Sequence, residues 1–311
     1  MIDIRRYNPI NADIWDAFVG MSKNGTFLLM REYMDYHADR FVDHSLMFYH
    51  NEKLVALLPA SEHESELRSH GGLTYGGLVI STGVTVQLVL EIFETLKEYL
   101  KENFYTTLLY KRVPAIFYQY PSDEDLYALF RIGATLTRRH ISSSINMQNK
   151  LKFTERRRRG IKQAVKNGIV IRQSDDYESF ISILSDILRK YHNAKPVHTA
   201  SELELLASRF QDNIKLYAAY KDERMLAGVI IYETGNVAHT QYIANSDEGR
   251  QCGALDAVMD YLINQRYANK AYFDFGTSMD ENGVDYNDGL ITQKQEFGGR
   301  GIVYDIYEIR V

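Results

Sequence analysis

Two stretches decide the fold: Leu46-Met-Phe-Tyr-His-Asn-Glu-Lys-Leu-Val-Ala-Leu-Leu-Pro-Ala60 and Leu216-Tyr-Ala-Ala-Tyr-Lys-Asp-Glu-Arg-Met-Leu-Ala-Gly-Val-Ile-Ile-Tyr232. Each reads as two apolar strands joined by a polar turn, at Asn51 and Glu52 in the first and at Asp222 and Glu223 in the second. About 40 residues beyond each start lies an amphipathic helix. The first, Thr85–Glu102, carries Leu88, Ile92, Leu96 and Leu100 at helical spacing. The second, Gly253–Gln265, carries Leu255, Val258, Met259 and Leu262. Each leads into an aromatic-rich strand, Tyr105–Tyr110 and Ala271–Phe275. Hairpin, strand, helix and strand thus recur at matching offsets and predict a duplicated unit of the α/β (α+β) class. Residues 1–150 and 151–311 are the expected domains, each a mixed, mostly antiparallel sheet flanked by helices, with the last strand able to return to the first domain. At the junction Thr154 is placed to cap a helix running through Ile161, Ala164 and Val165 to Gly168. A strand at Ile169–Arg172 and helices near Tyr177–Tyr191 and Ala200–Asn213 follow.

Size agrees, because at 311 residues the chain exceeds the length of about 250–300 at which single cores stop growing. A net charge of −5 and a pI near 6.0 exclude a protein that coats nucleic acid, which needs an excess of Lys and Arg. The single cysteine, Cys252, rules out an internal disulfide and fits a reducing compartment. Met1 to Tyr7 is polar where a secretion signal needs an apolar stretch, and no apolar run approaches the roughly 18 residues of a spanning helix. The expectation is a cytoplasmic protein with no membrane span, a monomer or weak dimer.

Three segments carry candidate chemistry. Glu155-Arg-Arg-Arg-Arg-Gly160 puts four arginines in the first turn of a helix, where each opposes the dipole by roughly 0.3–1 kcal/mol. Arg157 and Arg158 share the side of Ile161, and a phosphate gripped by bidentate guanidinium contacts offsets that cost. Local pairing with Glu155 is the other reading. Asn245-Ser-Asp-Glu-Gly-Arg-Gln-Cys-Gly-Ala254 joins a strand, Val237–Ala244, to the second amphipathic helix. Asn245, Gly249, Arg250 and Gly253 are its candidates for holding a donor's pyrophosphate, since glycines let backbone amides approach an anion. A plain turn is the alternative. In the third segment, Phe273-Asp-Phe-Gly276, Asp274 faces opposite to its aromatic neighbours at a strand's carboxyl end, where α/β proteins bind ligands. Lys294, in a short polar segment closed by Gly298 and Gly299, is placed to steady an oxyanion or a phosphate. His70-Gly-Gly-Leu-Thr-Tyr-Gly-Gly77 lacks the Lys-Ser/Thr of a phosphate-binding loop and reads as a turn in which Tyr75 touches an acceptor, or as a tight strand connection. Histidine spacing of the kind that binds metal is absent, so no metal is expected.

Arg157-Arg-Arg-Gly-Ile-Lys-Gln-Ala-Val-Lys-Asn-Gly168 resembles the arginine-rich helix that opens the second GNAT-like domain of Fem-type transferases. Cys252-Gly-Ala254 with its helix, Phe273-Asp-Phe-Gly276 and Lys294-Gln-Glu-Phe-Gly298 are similar to that family's closing run, in the same order. The likeness covers most of residues 155–300; in the first half Leu73-Thr-Tyr-Gly-Gly-Leu78 and Val113-Pro114 match less specifically. The resemblance implies a GNAT-superfamily acyltransferase of the Fem-like, peptidoglycan aminoacyltransferase-related type, with two tandem GNAT-like domains. It further implies a small-molecule acyl donor held by the second domain and an amine acceptor, often on a cell-envelope or sugar precursor. No long heptad insertion like that of tRNA-dependent members is present, which turns the expected donor toward acyl-CoA, acetyl-CoA included. Leu255 stands where the family's Arg/Gln-x-x-Gly-x-Gly/Ala loop ends in a small residue.

The chemistry then distributes roles. A neutral amine must attack an activated carbonyl, so its proton needs an acceptor, the oxyanion needs donors and the leaving group needs a proton. Asp274 is the candidate to position or deprotonate the amine, Lys294 to hold the oxyanion or a phosphate, and Tyr242 to protonate the leaving group. Arg157, Arg158 and Tyr75 are the substrate-binding candidates. His239 is second choice as base, since a lone strand histidine is usually structural. Two other functions stay beside N-acyl transfer: aminoacyl-tRNA-dependent aminoacyl transfer, and a non-catalytic GNAT-fold binding protein.

Overall fold

The structure, a computed structural model, describes residues 1–192, 194–280 and 283–311. Contacts divide it into two units, residues 1–140 with 303–311 and residues 141–302. The first holds β1 (Ile2–Arg6), α1 (Ala12–Met21), α2 (Arg31–Met34), β2 (Leu46–His50), β3 (Lys53–Leu58), β4 (Ser61–His63), β5 (Glu66–Arg68), β6 (Val79–Ile80), α3 (Val86–Glu102), β7 (Thr107–Lys111) and α4 (Glu124–Arg131). Strand β8 (Thr135–Asn146) carries the chain into the second unit. There follow α5 (Glu155–Lys166), β9 (Val170–Ser174), α6 (Tyr177–His192), α7 (Ala200–Arg209), β10 (Ile214–Lys221), β11 (Arg224–Glu233), β12 (Val237–Asn245), α8 (Asp247–Cys252), α9 (Ala254–Tyr261), β13 (Tyr272–Thr277) and α10 (Asp288–Glu296). Strand β14 (Arg300–Arg310) returns the chain to the first unit.

The two predicted hairpins are β2–β3 and β10–β11, and they agree in detail. Asn51 and Glu52 lie at φ +50° and +61°, Asp222 and Glu223 at +48° and +60°. Both central residues left-handed is the type I′ turn, whose twist suits a hairpin. Each hairpin also bulges at the third residue after its turn. Val55 is extra between the pairs Phe48–Ala56 and Tyr49–Leu54, and Leu226 is extra between Ala219–Ala227 and Tyr220–Met225. A strand then adds antiparallel on the outer side of each hairpin, β1 on β2 and β9 on β10. Two units that repeat a turn, a bulge and an edge strand at the same offsets are copies of one fold.

In the first unit β1, β2, β3 and β6 form an antiparallel sheet, while β5 pairs parallel with β7 and β14 antiparallel with it. Thr85 caps α3 through Leu88 N–H, and Val89, Ile92, Phe93, Leu96 and Leu100 are buried against Phe48, Leu58 and Leu108. In the second unit the strand order is β8–β13–β12–β11–β10–β9. There α9 buries Leu255, Val258 and Met259 with Leu262 against Tyr217, Val229, Ile231 and Phe273. Each fully buried side chain of this size contributes about 1.5–3 kcal/mol. No helix among the described residues is long and apolar enough to cross a membrane.

Four local expectations are corrected. Thr154 precedes α5 without a side-chain cap bond, and α7 stops at Arg209, short of Asn213. The glycine turn after β12 is a six-residue helix, α8, and Lys294 sits inside α10, where its stem is covered.

Candidate functional site

Strands β12 and β13 pair in parallel over three residue pairs, ending at His239–Asp274, although β12 continues to Asn245 and β13 to Thr277. The strands part at that point. Gly276, at φ +72°, bends β13, and a Cβ there would stand 3.2 Å from His239 Cε1. Lys294 Nζ holds the bend from α10, donating to the Gly276 carbonyl at 2.8 Å, the Thr277 carbonyl at 2.7 Å and Ser278 Oγ at 2.7 Å. Those three acceptors take all three ammonium protons. Burial nonetheless brings the Lys294 pKa down to about 8, against the opposing pull of Asp274.

Asp274 is fully buried. Its Oδ1 accepts from Ser142 Oγ at 3.0 Å and from Ser144 Oγ, both on β8; its Oδ2 meets His239 Nδ1 at 2.7 Å and accepts from Gly276 N–H at 3.2 Å. Four donors match the acceptor capacity of a carboxylate. Asp274 is therefore built to hold His239, with Nδ1–H pointing at the carboxylate and the lone pair on Nε2.

A bulge completes the face. Ile230 pairs with Tyr242 and Ile231 with Thr240, so Gln241 is an extra residue in β12. In a plain strand His239 and Tyr242 would face opposite ways; the extra residue returns them to one face. Tyr242 Oη lies 2.6 Å from Nδ1 of buried His198, just ahead of α7.

The other candidates find different surroundings. Arg157 donates to Asp256 Oδ1 at 2.8 Å, pairs with Glu296 at 2.7 Å and stacks over Phe297 at 4.5 Å, so it braces α5 against α9 and α10. Arg158 is exposed and pairs with Glu155 at 2.8 Å, on the rim of a cavity of about 350 Å³ walled by Phe153, Ile161 and Phe297. Tyr75 is buried, 3.1 Å from Thr26 Oγ1 and against the ring of Phe117. The α8 start is capped by Ser246, which accepts from Gly249 N–H at 3.0 Å, and its first turn carries Asp247 and Glu248. A methyl on Gly249 would lie 2.6 Å from the Leu226 carbonyl, and one on Gly253 would lie 2.1 Å from the Gly160 carbonyl. Both glycines answer to packing. Arg250 stacks over Tyr191 at 4.7 Å, and Asn245 Oδ1 is buried beside Gly249.

The first unit lacks the opening. Its parallel pair β5–β7 also spans three residue pairs, Glu66–Thr107 to Arg68–Leu109. Beyond it, loop 69–78 crosses to β7: Ser69 N–H donates to the Leu109 carbonyl at 2.8 Å, Gly76 N–H to the Lys111 carbonyl at 2.9 Å and Leu78 N–H to Tyr110 Oη at 2.7 Å. One residue bulges at this place in the second unit; ten fill it in the first.

Sequence reasoning placed Asp274 and Tyr242 on strands that form this site, read the helical Lys294 as part of a short polar segment, and demoted His239. Asp274 and His239 lie 35 positions apart, and the signal that would have raised the histidine is its register opposite the aspartate across a parallel pair.

Residues 152–286 match the acetyltransferase (GNAT) domain family. This segment is a GNAT domain. The whole chain shares its fold with FemX, at TM-score 0.68 and 11% identity over 99% of this chain and 97% of that one. A tandem GNAT protein from the clavulanic acid biosynthesis pathway aligns at TM-score 0.55 and 9% identity, covering 100% and 98%. L-PGS from Bacillus licheniformis aligns at 0.61 and 12%, covering 98% and 93%. Comparison with curated proteins gave no match. Residues 152–286 thus form a GNAT domain, and the whole chain has the fold of these tandem proteins.

Proposed function

We propose that the chain is an N-acyltransferase whose donor enters the opening between β12 and β13 and whose amine acceptor gives its proton to His239. The observation that carries this reading is the His239–Asp274 pair, set at the last residues where the two strands still pair. Nε2 of His239 takes the ammonium proton, and the neutral amine attacks the acyl carbonyl. Asp274 orients the imidazole and stabilises its cation, held in turn by two serines of β8. Outward backbone N–H groups of β12 past His239 receive the oxyanion, and as it collapses Tyr242, backed by His198, gives its proton to the leaving group and takes the second proton of the attacking nitrogen. Lys294 keeps the strands apart through the Gly276 and Thr277 carbonyls. The C–N bond of the amide forms as the thioester or ester bond breaks, with no metal in the scheme. An amine on a cell-envelope or sugar precursor is the acceptor class that the Fem-like resemblance brings, and a cytoplasmic enzyme goes with it.

Acyl-CoA, acetyl-CoA included, is the donor class that goes with the GNAT domain. One observation favours a tRNA-borne aminoacyl ester as the second reading: the α8 start presents Asp247 and Glu248, which repel a pyrophosphate, and its glycines are closed by packing. A thermal-shift screen with acetyl-CoA, longer acyl-CoAs and aminoacyl-tRNA identifies the donor. With it, His239→Gln is expected to lower turnover by about 10²–10³-fold and Asp274→Asn by about tenfold or more, with donor affinity changed far less. Folded His239→Gln protein turning over near the wild-type rate would sink the mechanism.

A further inference from the structure

A second charged cavity lies in the first unit, on a sheet face. Leu67, Leu108, Tyr110 and Ile309 of β5, β7 and β14 enter the core with α3. Strand alternation sends Arg68, Leu109, Lys111, Ile306 and Glu308 to the other face. A cavity of about 420 Å³ sits there, floored by Leu109 and Ile306 and rimmed by Arg68, Lys111 and Arg138 against Glu66 and Glu308. That volume falls in the range of ligand pockets, about 300–1,000 Å³. The carboxylates are already engaged: Glu66 accepts from Arg68 Nε, and Glu308 accepts from Arg310 Nε beyond the rim. Among the described residues neither Lys111 nor Arg138 has a carboxylate partner, and Lys111 Nζ donates to the Leu73 carbonyl.

We propose that this face is a binding site for an organic phosphate, with Lys111 and Arg138 on the phosphoryl oxygens and the ligand's body over Leu109 and Ile306. Two uncompensated cations match the charge of about −2 on a phosphate monoester or diphosphate near neutral pH. The guanidinium supplies a planar fork and the ammonium a point charge, while the apolar floor takes a ring or chain that inorganic phosphate lacks. Burial, aided by Arg68, already brings the Lys111 pKa down to about 8, so the cation is held here against its desolvation and a bound dianion relieves it. The groups around it are Arg68 and Glu66 of β5, Glu308 of β14, Arg138 of β8, His63 of β4, whose pKa burial lowers, and, beyond the strand end, His70, whose own pKa burial brings down to about 3. Near neutral pH Lys111 is therefore the group here whose charge changes, and anion affinity falls as pH rises through 8. The site is independent of the acyl-transfer reading and stands if that reading fails.

The test is calorimetric titration of the full chain with phenyl phosphate at constant ionic strength. Binding is expected at pH 7 and weaker by about threefold or more at pH 9, where Lys111 is largely neutral. Lys111→Met is expected to weaken it by about tenfold and Arg138→Gln by about threefold or more, as loss of charge-assisted contacts does. Arg172→Gln, on β9 of the other unit, should leave it unchanged. Arg138 is exposed, so its variant keeps the fold even where Lys111→Met does not, and circular dichroism reports on both. A wild type that does not bind phenyl phosphate, affinity unchanged in Arg138→Gln, or affinity that holds at pH 9 would each overturn the proposal.

Discussion

Arg157 has 11% of its side chain exposed and stands between Asp256 of α9 and Glu296 of α10, each 15% exposed. Desolvation raises the Asp256 pKa even with that arginine beside it, which shows how far the carboxylate is removed from water. Removing the cation leaves two covered carboxylates facing each other. Arg157→Ala is therefore expected to cost about 3 kcal/mol or more, read as a lower urea midpoint. Stability within error of the wild type would return Arg157 to the ligand-binding role that its sequence context suggests. His239 runs the other way. Its residue type on a strand argues for structure, and its partner, the buried carboxylate of Asp274, argues for chemistry.

Helix α8 replaces the open glycine loop expected after β12. Ser246 uses its hydroxyl on Gly249 N–H, and Gly253, at φ +76°, ends α8 and starts α9 directly over the Gly160 carbonyl of α5. That contact sets the crossing of α5 and α9. Gly253→Ala adds both a left-handed backbone cost and a clash with carbonyl oxygen, for an expected loss of about 2–3 kcal/mol and several degrees of Tm. Donor affinity measured on the remaining folded fraction should stay near wild type. The opposite pattern, unchanged Tm with donor binding lost, would restore the glycine to the donor's phosphates. The bulge at Gln241 acts on the same scale: one inserted residue decides that His239 and Tyr242 share a face.

Across the molecule, the two copies of the fold have diverged where their parallel strands part. The second unit parts β12 from β13 and lines the gap with a His–Asp pair; the first fills the corresponding gap with loop 69–78, sewn to β7 by backbone bonds. One donor should therefore bind per chain, and calorimetry with the donor found by the screen should give a stoichiometry near one. A second donor site of equal affinity, lost on changing loop 69–78, would contradict the division of labour between the units.

The repeated hairpins, the two amphipathic helices and the strands that follow them were legible from sequence because each rests on local rules: alternation, helical spacing and polar turn residues. Asp274 and Tyr242 were legible as polar residues on apolar strands, whereas Lys294, read in a short polar segment, lies in helix α10. What those residues touch was decided by partners distant in the chain. Ser142 and Ser144 saturate Asp274 from β8, Gly276 and Thr277 absorb the charge of Lys294, and Asp256 and Glu296 absorb that of Arg157. A side chain's type sets what it can donate or accept, while burial and register decide which group receives it. Sequence periodicity thus determined the duplicated architecture, and only tertiary packing turned a lone strand histidine into one half of a His–Asp pair and one arginine of an otherwise exposed run into an internal brace.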